Sequence, residues 1–274
     1  MYIYAYATIH VYTNIHIYTY TYNTDKKSIA AKDVLDFVWS PSTTTCMLSY
    51  WAPASGNHPS LVSILSIPDR VEICSRKIFD VIDGKMYWQN DGDYLCVSMC
   101  KIQGKKKTYL LMFFRLYESG IPVEQLELNE NIISVNWEPS GDRICIIYGE
   151  VRNPIIAFYS MSVTSQKGAS KGKKELTLLY TLKDIQCNNV HWSPSGDVIA
   201  LAFNTPDNCI FTLYDVENNV SLVKRSHDRG NRLVWDPSGR LLASCTISSL
   251  KQDGGRALRG HPDDGKKRSD YSEL

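Results

Sequence analysis

Residues Val190–Ala202 read VHWSPSGDVIALA, and this phrase decides the fold because the chain repeats it. The other copies are FVWSPSTTT from Phe37, MYWQNDGDYLCV from Met86, VNWEPSGDRICII from Val135 and LVWDPSGRLLASC from Leu233. Their tryptophans are Trp39, Trp88, Trp137, Trp192 and Trp235, spaced 49, 49, 55 and 43 residues apart. Self-similarity at that period is the signature of a repeat architecture.

Each copy reads as strand, tight turn, strand. Apolar and polar residues alternate through Val190, His191 and Trp192, as in a half-buried strand. Pro194 fixes φ for an early turn position, Ser195 is a turn residue, and Gly196 accepts the positive φ that a side chain opposes. Val198–Phe203 is an apolar run suited to a buried strand. Cys209–Tyr214 supplies a third strand closed by Asp215, and Ser221–Lys224 a fourth. The third-strand position recurs at Leu61–Ile67, Leu110–Leu116 and Ile155–Tyr159. Four short antiparallel strands per repeat make a blade, so the expected fold class is all-β: a β-propeller of WD40 type with four to five four-stranded blades in an incomplete ring. Tyr214-Asp215 stands where many WD40 repeats carry Trp-Asp. One blade cannot bury both its faces, so neighbours must stack. The five tryptophans are read as blade core, large apolar plugs between neighbours. Cys96, Cys145, His191 and Cys245 fall inside the repeated strands and read as core or flanking residues.

Composition narrows the function. The chain has 274 residues, is 43% hydrophobic and carries a net charge of +1, so it has no global nucleic-acid signature. No apolar run approaches the roughly 18 residues of a membrane helix. Eight cysteines are scattered without a Cys-x-x-Cys pair, and the closest, Cys96 and Cys100, share one strand face. That pattern argues against a zinc site and a disulfide framework and suits free thiols in a reducing, cytoplasmic setting. The sequon Asn219-Val220-Ser221 accompanies no secretory signal and reads as chance.

Both ends depart from the repeat. Residues 1–28 open with MYIYAYATIHVYTNIHIYTYTYNT, a low-complexity segment without the basic start or cleavage site of a signal peptide. Its Tyr, Ile, Thr, His and Val can all be written with TAT, ATA, ACA, CAT and GTA codons. That favours a translated DNA repeat over an authentic edge strand. Residues 29–248 hold the blades, and 249–274 are a polar tail of mixed charge expected to be disordered. The last blade therefore lacks strands.

A resemblance rests on the phrases between the repeats. LSYWAPASGNHPSLVSILSIPDRVEICSRKIFDV (48–81), KMYWQNDGDYLCV (85–97), FFRLYESGIPVEQLELNENIISVNWEPSGDRICIIYGE (113–150) and LVWDPSGRLLAS (233–244) resemble the b subunit of eukaryotic translation initiation factor 3. The order W-Q-x-x-G-D-Y-L-C-V, F-R-x-x-x-x-x-I-P-V-E, W-E-P-x-G-x-R is far more specific than a WD40 consensus, and the similarity runs from Ile29 to Thr246. It implies a non-enzymatic scaffold that docks on the small ribosomal subunit, with other factor subunits and ribosomal protein and RNA as partners, and a part in recruiting mRNA and initiator tRNA. Family members also carry an RNA-recognition domain before the propeller and a helical tail after it; neither pattern is visible here. The alternatives are a 2A-type initiation factor propeller, a generic WD40 interaction adaptor and the propeller half of a peptidase. The I-P-V-E and W-Q-x-x-G-D-Y-L segments favour the first reading, and 274 residues leave no room for a hydrolase domain.

Candidate chemistry is sparse. Gly168-Ala169-Ser170-Lys171-Gly172 has nucleophile-elbow spacing but lies in a polar loop, where the required strand and helix are missing. Asp91, Asp93, Asp142 and Asp197 recur at near-equivalent turn positions, which marks turn chemistry. No catalytic residue, metal ligand, cofactor, small-molecule substrate or membrane contact is expected. Two lysine-rich loops are candidate ribosome or RNA contacts: Lys105, Lys106 and Lys107, beside Lys101, and Lys171, Lys173 and Lys174. Both are expected between second and third strands, on one rim, where lysines neutralise phosphates without reading sequence. The alternative is a pair of solvated hairpins. Arg225, Arg229 and Arg232, beside His227, are a weaker third candidate.

Overall fold

The computed structural model describes residues 29, 31, 33–56, 58–161, 175–205 and 208–246. Every regular element among them is a strand. Blade 1 consists of β1 (Asp36–Trp39), β2 (Met47–Ala52), β3 (Ser60–Ser66) and β4 (Val71–Ile78). Blade 2 has β5 (Val81–Trp88), β6 (Tyr94–Gln103), β7 (Lys106–Arg115) and β8 (Val123–Leu128). Blade 3 has β9 (Ile132–Trp137), β10 (Arg143–Glu150), β11 (Asn153–Ser160) and β12 (Thr177–Leu182). Blade 4 has β13 (Asn189–Trp192), β14 (Val198–Asn204), β15 (Asn208–Asp215) and β16 (Val220–Asp228). Within each the strands are ordered as in sequence and paired antiparallel. A fifth copy forms the two-stranded sheet β17 (Arg232–Trp235) and β18 (Leu242–Cys245). This is the β-propeller blade architecture expected from the repeat.

The chain divides into two compact units, one ending at Gln186 and the other beginning at Cys187. In the first, apolar side chains of adjacent blades interleave. Trp51, Val62, Ile64, Leu95, Val97, Met112 and Phe114 form one cluster between blades 1 and 2. Cys96, Phe113, Val135, Ile144 and Ala157 form the next, between blades 2 and 3. Burying two or three large side chains per strand contributes about 1.5–3 kcal/mol each, and this stacking is what makes the repeat cooperative. The second unit has its own cluster around Ala200, Ala202, Phe211, Leu213 and Leu233.

The repeated tryptophans all end first strands, as expected, but their burial differs from a simple core plug. Trp192 is buried at 8% exposure, whereas Trp39, Trp88, Trp137 and Trp235 are half-buried. Three of these half-buried indoles use their polar edge. The indole N–H of Trp137 donates to the Tyr87 carbonyl at 2.9 Å, one residue before the preceding blade's tryptophan. Trp235 does the same to the His191 carbonyl at 3.0 Å. Trp88 reaches the Ser49 hydroxyl at 2.9 Å, and that hydroxyl donates to the Val38 carbonyl at 3.1 Å. Each of these three indoles thus ties its first strand to the preceding blade, at the sheet end where solvent begins. The tryptophan most completely buried is Trp51 on β2, at 1% exposure and outside the repeated phrase. Gly84 packs flat against it; a Cβ there would stand 3.1 Å from Trp51 Cε2.

In blades 2 to 4 and the fifth copy, the residue after the tryptophan closes its turn. Gln89 Oε1 accepts from Asp93 N–H, Glu138 Oε1 from Arg143 N–H, Ser193 Oγ from Val198 N–H and Asp236 Oδ1 from Leu241 N–H. Their own N–H groups donate across the same turn, to the carbonyls of Tyr94, Arg143, Val198 and Leu241. Glu138 also takes the Arg143 side chain at 2.6 Å; burial nonetheless pushes its carboxyl above the usual range against the pull of Arg143. The aspartates of the phrase play lesser parts: Asp91 accepts from Gln89 Nε2, and Asp142 from Ser160 Oγ. Gly92 has φ +79, and a Cβ on it would fall 2.5 Å from Ser40 Oγ of the preceding turn. The repeat keeps glycine both for its φ and for this approach. Gln89 Nε2 and Asn90 Nδ2 then reach the carbonyls of Gly141 and Pro139 in the next turn, both at 2.8 Å.

Candidate functional site

In the first unit the connections sort onto two rims. The turns just described, with the third-to-fourth connections, occupy one. The second-to-third hairpins and the passages from a fourth strand to the next first strand occupy the other. On that second rim the β6–β7 hairpin stands out. Its strands pair from Tyr94↔Arg115 out to Gln103↔Lys106. Strand β5 begins at Val81 opposite Lys101, and β8 ends at Leu128 opposite Tyr109. Residues 102–107 therefore extend past both flanking strands as a two-stranded finger. Gly104, first of the two turn residues, has φ +63, the position a type II′ turn reserves for glycine.

The finger carries Lys105, Lys106 and Lys107 in exposed positions, with Lys101 half-buried at its base. Lys106 pairs with Gln103 and Lys107 with Ile102, so successive ammonium groups alternate between the two faces. No acidic residue lies between Lys101 and Tyr109. The equivalent hairpin of blade 3 presents exposed Arg152, a cation the sequence reading missed although its place follows from the repeat. Beyond it the rim turns acidic: a cleft there is lined by Glu130, Glu150, Asp184 and Lys183 among others. Among the described residues, a run of three adjacent lysines occurs in blade 2 alone.

Lys171, Lys173 and Lys174 lie outside the described residues, as does Gly168–Gly172. The strands flanking them correct the expectation. Strand β11 ends at Ser160, paired with Arg143 beside the Glu138 turn, and the chain next enters β12 at Thr177. The segment thus falls between a third strand and a fourth, not between a second and a third. Counting strands by sequence phrase alone put it one connection too early. The third candidate belongs to the second unit: Arg225 and His227 lie on β16, Arg229 follows it, and Arg232 opens β17. There His227 Nδ1 meets Ser244 Oγ at 2.8 Å.

The distinctive F-R…I-P-V-E segment has a structural basis. Arg115, buried at the end of β7, forms an ion pair with Glu124 on β8, and its backbone N–H donates to the Pro122 carbonyl at 3.1 Å. Glu124 also accepts the Leu176 N–H of blade 3. The pair therefore seals blade 2 against its neighbour. All eight cysteines are free, and burial pushes the Cys96 and Cys187 thiols up, Cys187 to about 12. These two are unreactive core groups. Among the described residues no group of three metal-ligating side chains comes together, and no helix is long and apolar enough to cross a membrane.

Comparison with known proteins agrees with this geometry. A family model described as eukaryotic translation initiation factor eIF2A matches residues 76–257. The b subunit of eukaryotic translation initiation factor 3 from Culex quinquefasciatus is 34% identical over 249 residues, covering 86% of this chain and 34% of that protein. Its Nicotiana tabacum counterpart is 36% identical over 238 residues, covering 84% of this chain and 32% of that one. The chain spans about a third of the length of these relatives. Among solved structures, one described as a eukaryotic initiation factor superposes with a TM-score of 0.68 at 18% identity, covering 90% of this chain and 57% of that one. Sqt1 from Chaetomium thermophilum gives 0.51 at 14%, covering 85% and 61%. These likenesses carry the fold, and the family model, which matches more than half of the residues, carries the family: this propeller chain belongs to the family described as eukaryotic translation initiation factor eIF2A, and the relatives it is similar to are b subunits of eukaryotic translation initiation factor 3.

Proposed function

We propose that this chain is a non-catalytic, cytoplasmic scaffold of the initiation factor 3 complex that docks on the small ribosomal subunit and thereby supports mRNA and initiator tRNA recruitment. The observation that carries the reading is the lysine finger. Three exposed ammonium groups on a hairpin projecting beyond its sheet, with no carboxylate among them, suit a phosphate backbone. The buried side chains support the non-catalytic part, because the ion pairs and turn carboxylates described above hold blades together and the core thiols are buried in neutral form. The test is reconstitution: factor complex assembled with this chain is sedimented with purified small ribosomal subunits. Co-sedimentation that weakens as salt rises is expected; a chain that neither enters the complex nor sediments with these particles contradicts the proposal.

A further inference from the structure

The finger shares its rim with large apolar side chains that the fold does not bury. Phe79, between β4 and β5, is 66% exposed; Ile82, on β5, is 53% exposed; Leu35, before β1, is 61% exposed. Contacts of Trp51 place Leu35 and the start of β5 at the same rim. The Leu35 N–H donates to the Trp51 carbonyl at 2.9 Å, and the Trp51 ring packs on Gly84, two residues beyond Ile82. Phe79 is joined to the finger, because the carbonyl of the next residue, Asp80, accepts the Ile102 N–H at 2.8 Å.

Local backbone geometry keeps these side chains out. Asp80 sits in the left-handed region at φ +62, and the register between β5 and β6 slips at Ile82, a β-bulge that re-aims the strand. The flanking Ile78 and Val81 are buried, so the chain had apolar residues to spare for the core. The same passage out of blade 3 also places an aspartate at φ +62, Asp184, but the residue before it is exposed Lys183. The loop geometry thus accepts a lysine where the passage out of blade 1 carries phenylalanine. Folding does not call for Phe79, and exposing it has no stability return.

We propose that Leu35, Phe79 and Ile82 form a docking surface for an acidic protein segment bearing apolar anchors, drawn in by the lysine finger. Two of the three side chains are aliphatic, which suits a protein partner; RNA bases offer stacking to Phe79 alone. Charge selects an acidic segment. Along the chain beside these residues and on the finger, the six lysines at 77, 85, 101 and 105–107 outnumber the four aspartates Asp33, Asp36, Asp80 and Asp83. Apolar anchors filling the patch with carboxylates at its rim match the usual anatomy of a peptide interface.

The inference rests on the proposed role in initiation only for the choice of probe. Labelled 15-residue peptides tiling the initiation factor 3 subunits and the small-subunit ribosomal proteins are titrated against the full chain, with poly(U) as the RNA probe. Acidic tiles carrying Leu, Ile or Phe should bind, and Phe79→Ser with Ile82→Ser should weaken them at least tenfold while leaving poly(U) unchanged. Both sites are exposed, so thermal melting should show the variant folded; Phe79→Leu is the milder second variant and should retain part of the affinity. If no tile binds, or binding survives the double substitution, the proposal is overturned. If the substitution instead weakens poly(U), the patch is an RNA platform and the proposal is equally overturned. Loss of small-subunit co-sedimentation on removing the finger lysines, with tile binding absent, would retain the proposed function and remove this inference alone.

Discussion

The two rims of the first unit are built from the same repeats and use them oppositely. On the turn rim the phrase is obeyed: the residue after the tryptophan clamps its turn, the glycine lets the preceding turn approach, and Gln89 and Asn90 hold the next. On the hairpin rim the blades disagree. Blade 2 projects three lysines and exposes Ile82, next to Phe79 on the passage that enters it, whereas blade 3 presents Arg152 beside an acidic cleft. Repetition marks what folding needs, since each blade must solve the same packing problem. Departure from repetition, where it places exposed apolar or like-charged groups, is where we propose that partners bind.

That contrast can be broken from the folding side first. Glu124→Ala strands the buried Arg115 guanidinium and removes the acceptor of Leu176 N–H. It should cost about 3 kcal/mol by denaturant unfolding, at the low end for a buried pair because Glu124 keeps some solvent contact. Gly84→Ala forces a methyl against the Trp51 ring and should cost about 1–3 kcal/mol. Tryptophan fluorescence should shift with it; an unchanged midpoint would show that the blades slide apart freely. Ser193→Ala removes one turn clamp, leaving Val198 N–H without its hydroxyl acceptor, for about 1 kcal/mol.

Acidity and alkalinity sharpen the same picture. Burial holds the His191 imidazole below its ordinary 6.5, so the unfolded chain binds the extra proton and stability should fall as pH drops below about 6.5. Buried Cys96 and Cys187 are raised above their ordinary 9.0, so the folded chain keeps protons the unfolded chain releases, and stability should fall as pH climbs past about 9. Thermal melts across pH 5–10 should show a plateau between these limits. A flat profile at both ends would mean these groups are solvated.

Much of this was legible in the sequence. Trp-x-Pro-Ser-Gly-Asp states strand, turn and strand locally, and five copies supply the blades. The inner partners were not legible. Nothing local distinguishes Ser49 as the bridge between Trp88 and Val38, or Trp51 as the most buried indole, because both depend on which blade lies next door. The indole bonds of Trp88, Trp137 and Trp235 depend likewise on the neighbouring blade. The lysine finger was readable as charge, but its projection required the lengths of β5 and β8. Lys171, Lys173 and Lys174 were assigned to the wrong connection because blade 3 completes its third strand before they occur.

The division of labour between rims is tested most directly by one paired measurement on Lys105→Ala/Lys106→Ala/Lys107→Ala. The variant and its parent, each in assembled factor complex, are co-sedimented with small ribosomal subunits across a salt series, and each is unfolded in denaturant. The account predicts an unfolding free energy within about 0.5 kcal/mol of the parent, since exposed substitutions cost little. It predicts weaker binding with a log–log salt slope flatter by about 2, for three lost phosphate contacts at about 0.7 each. An unchanged slope and affinity, or a variant that unfolds easily, would contradict it.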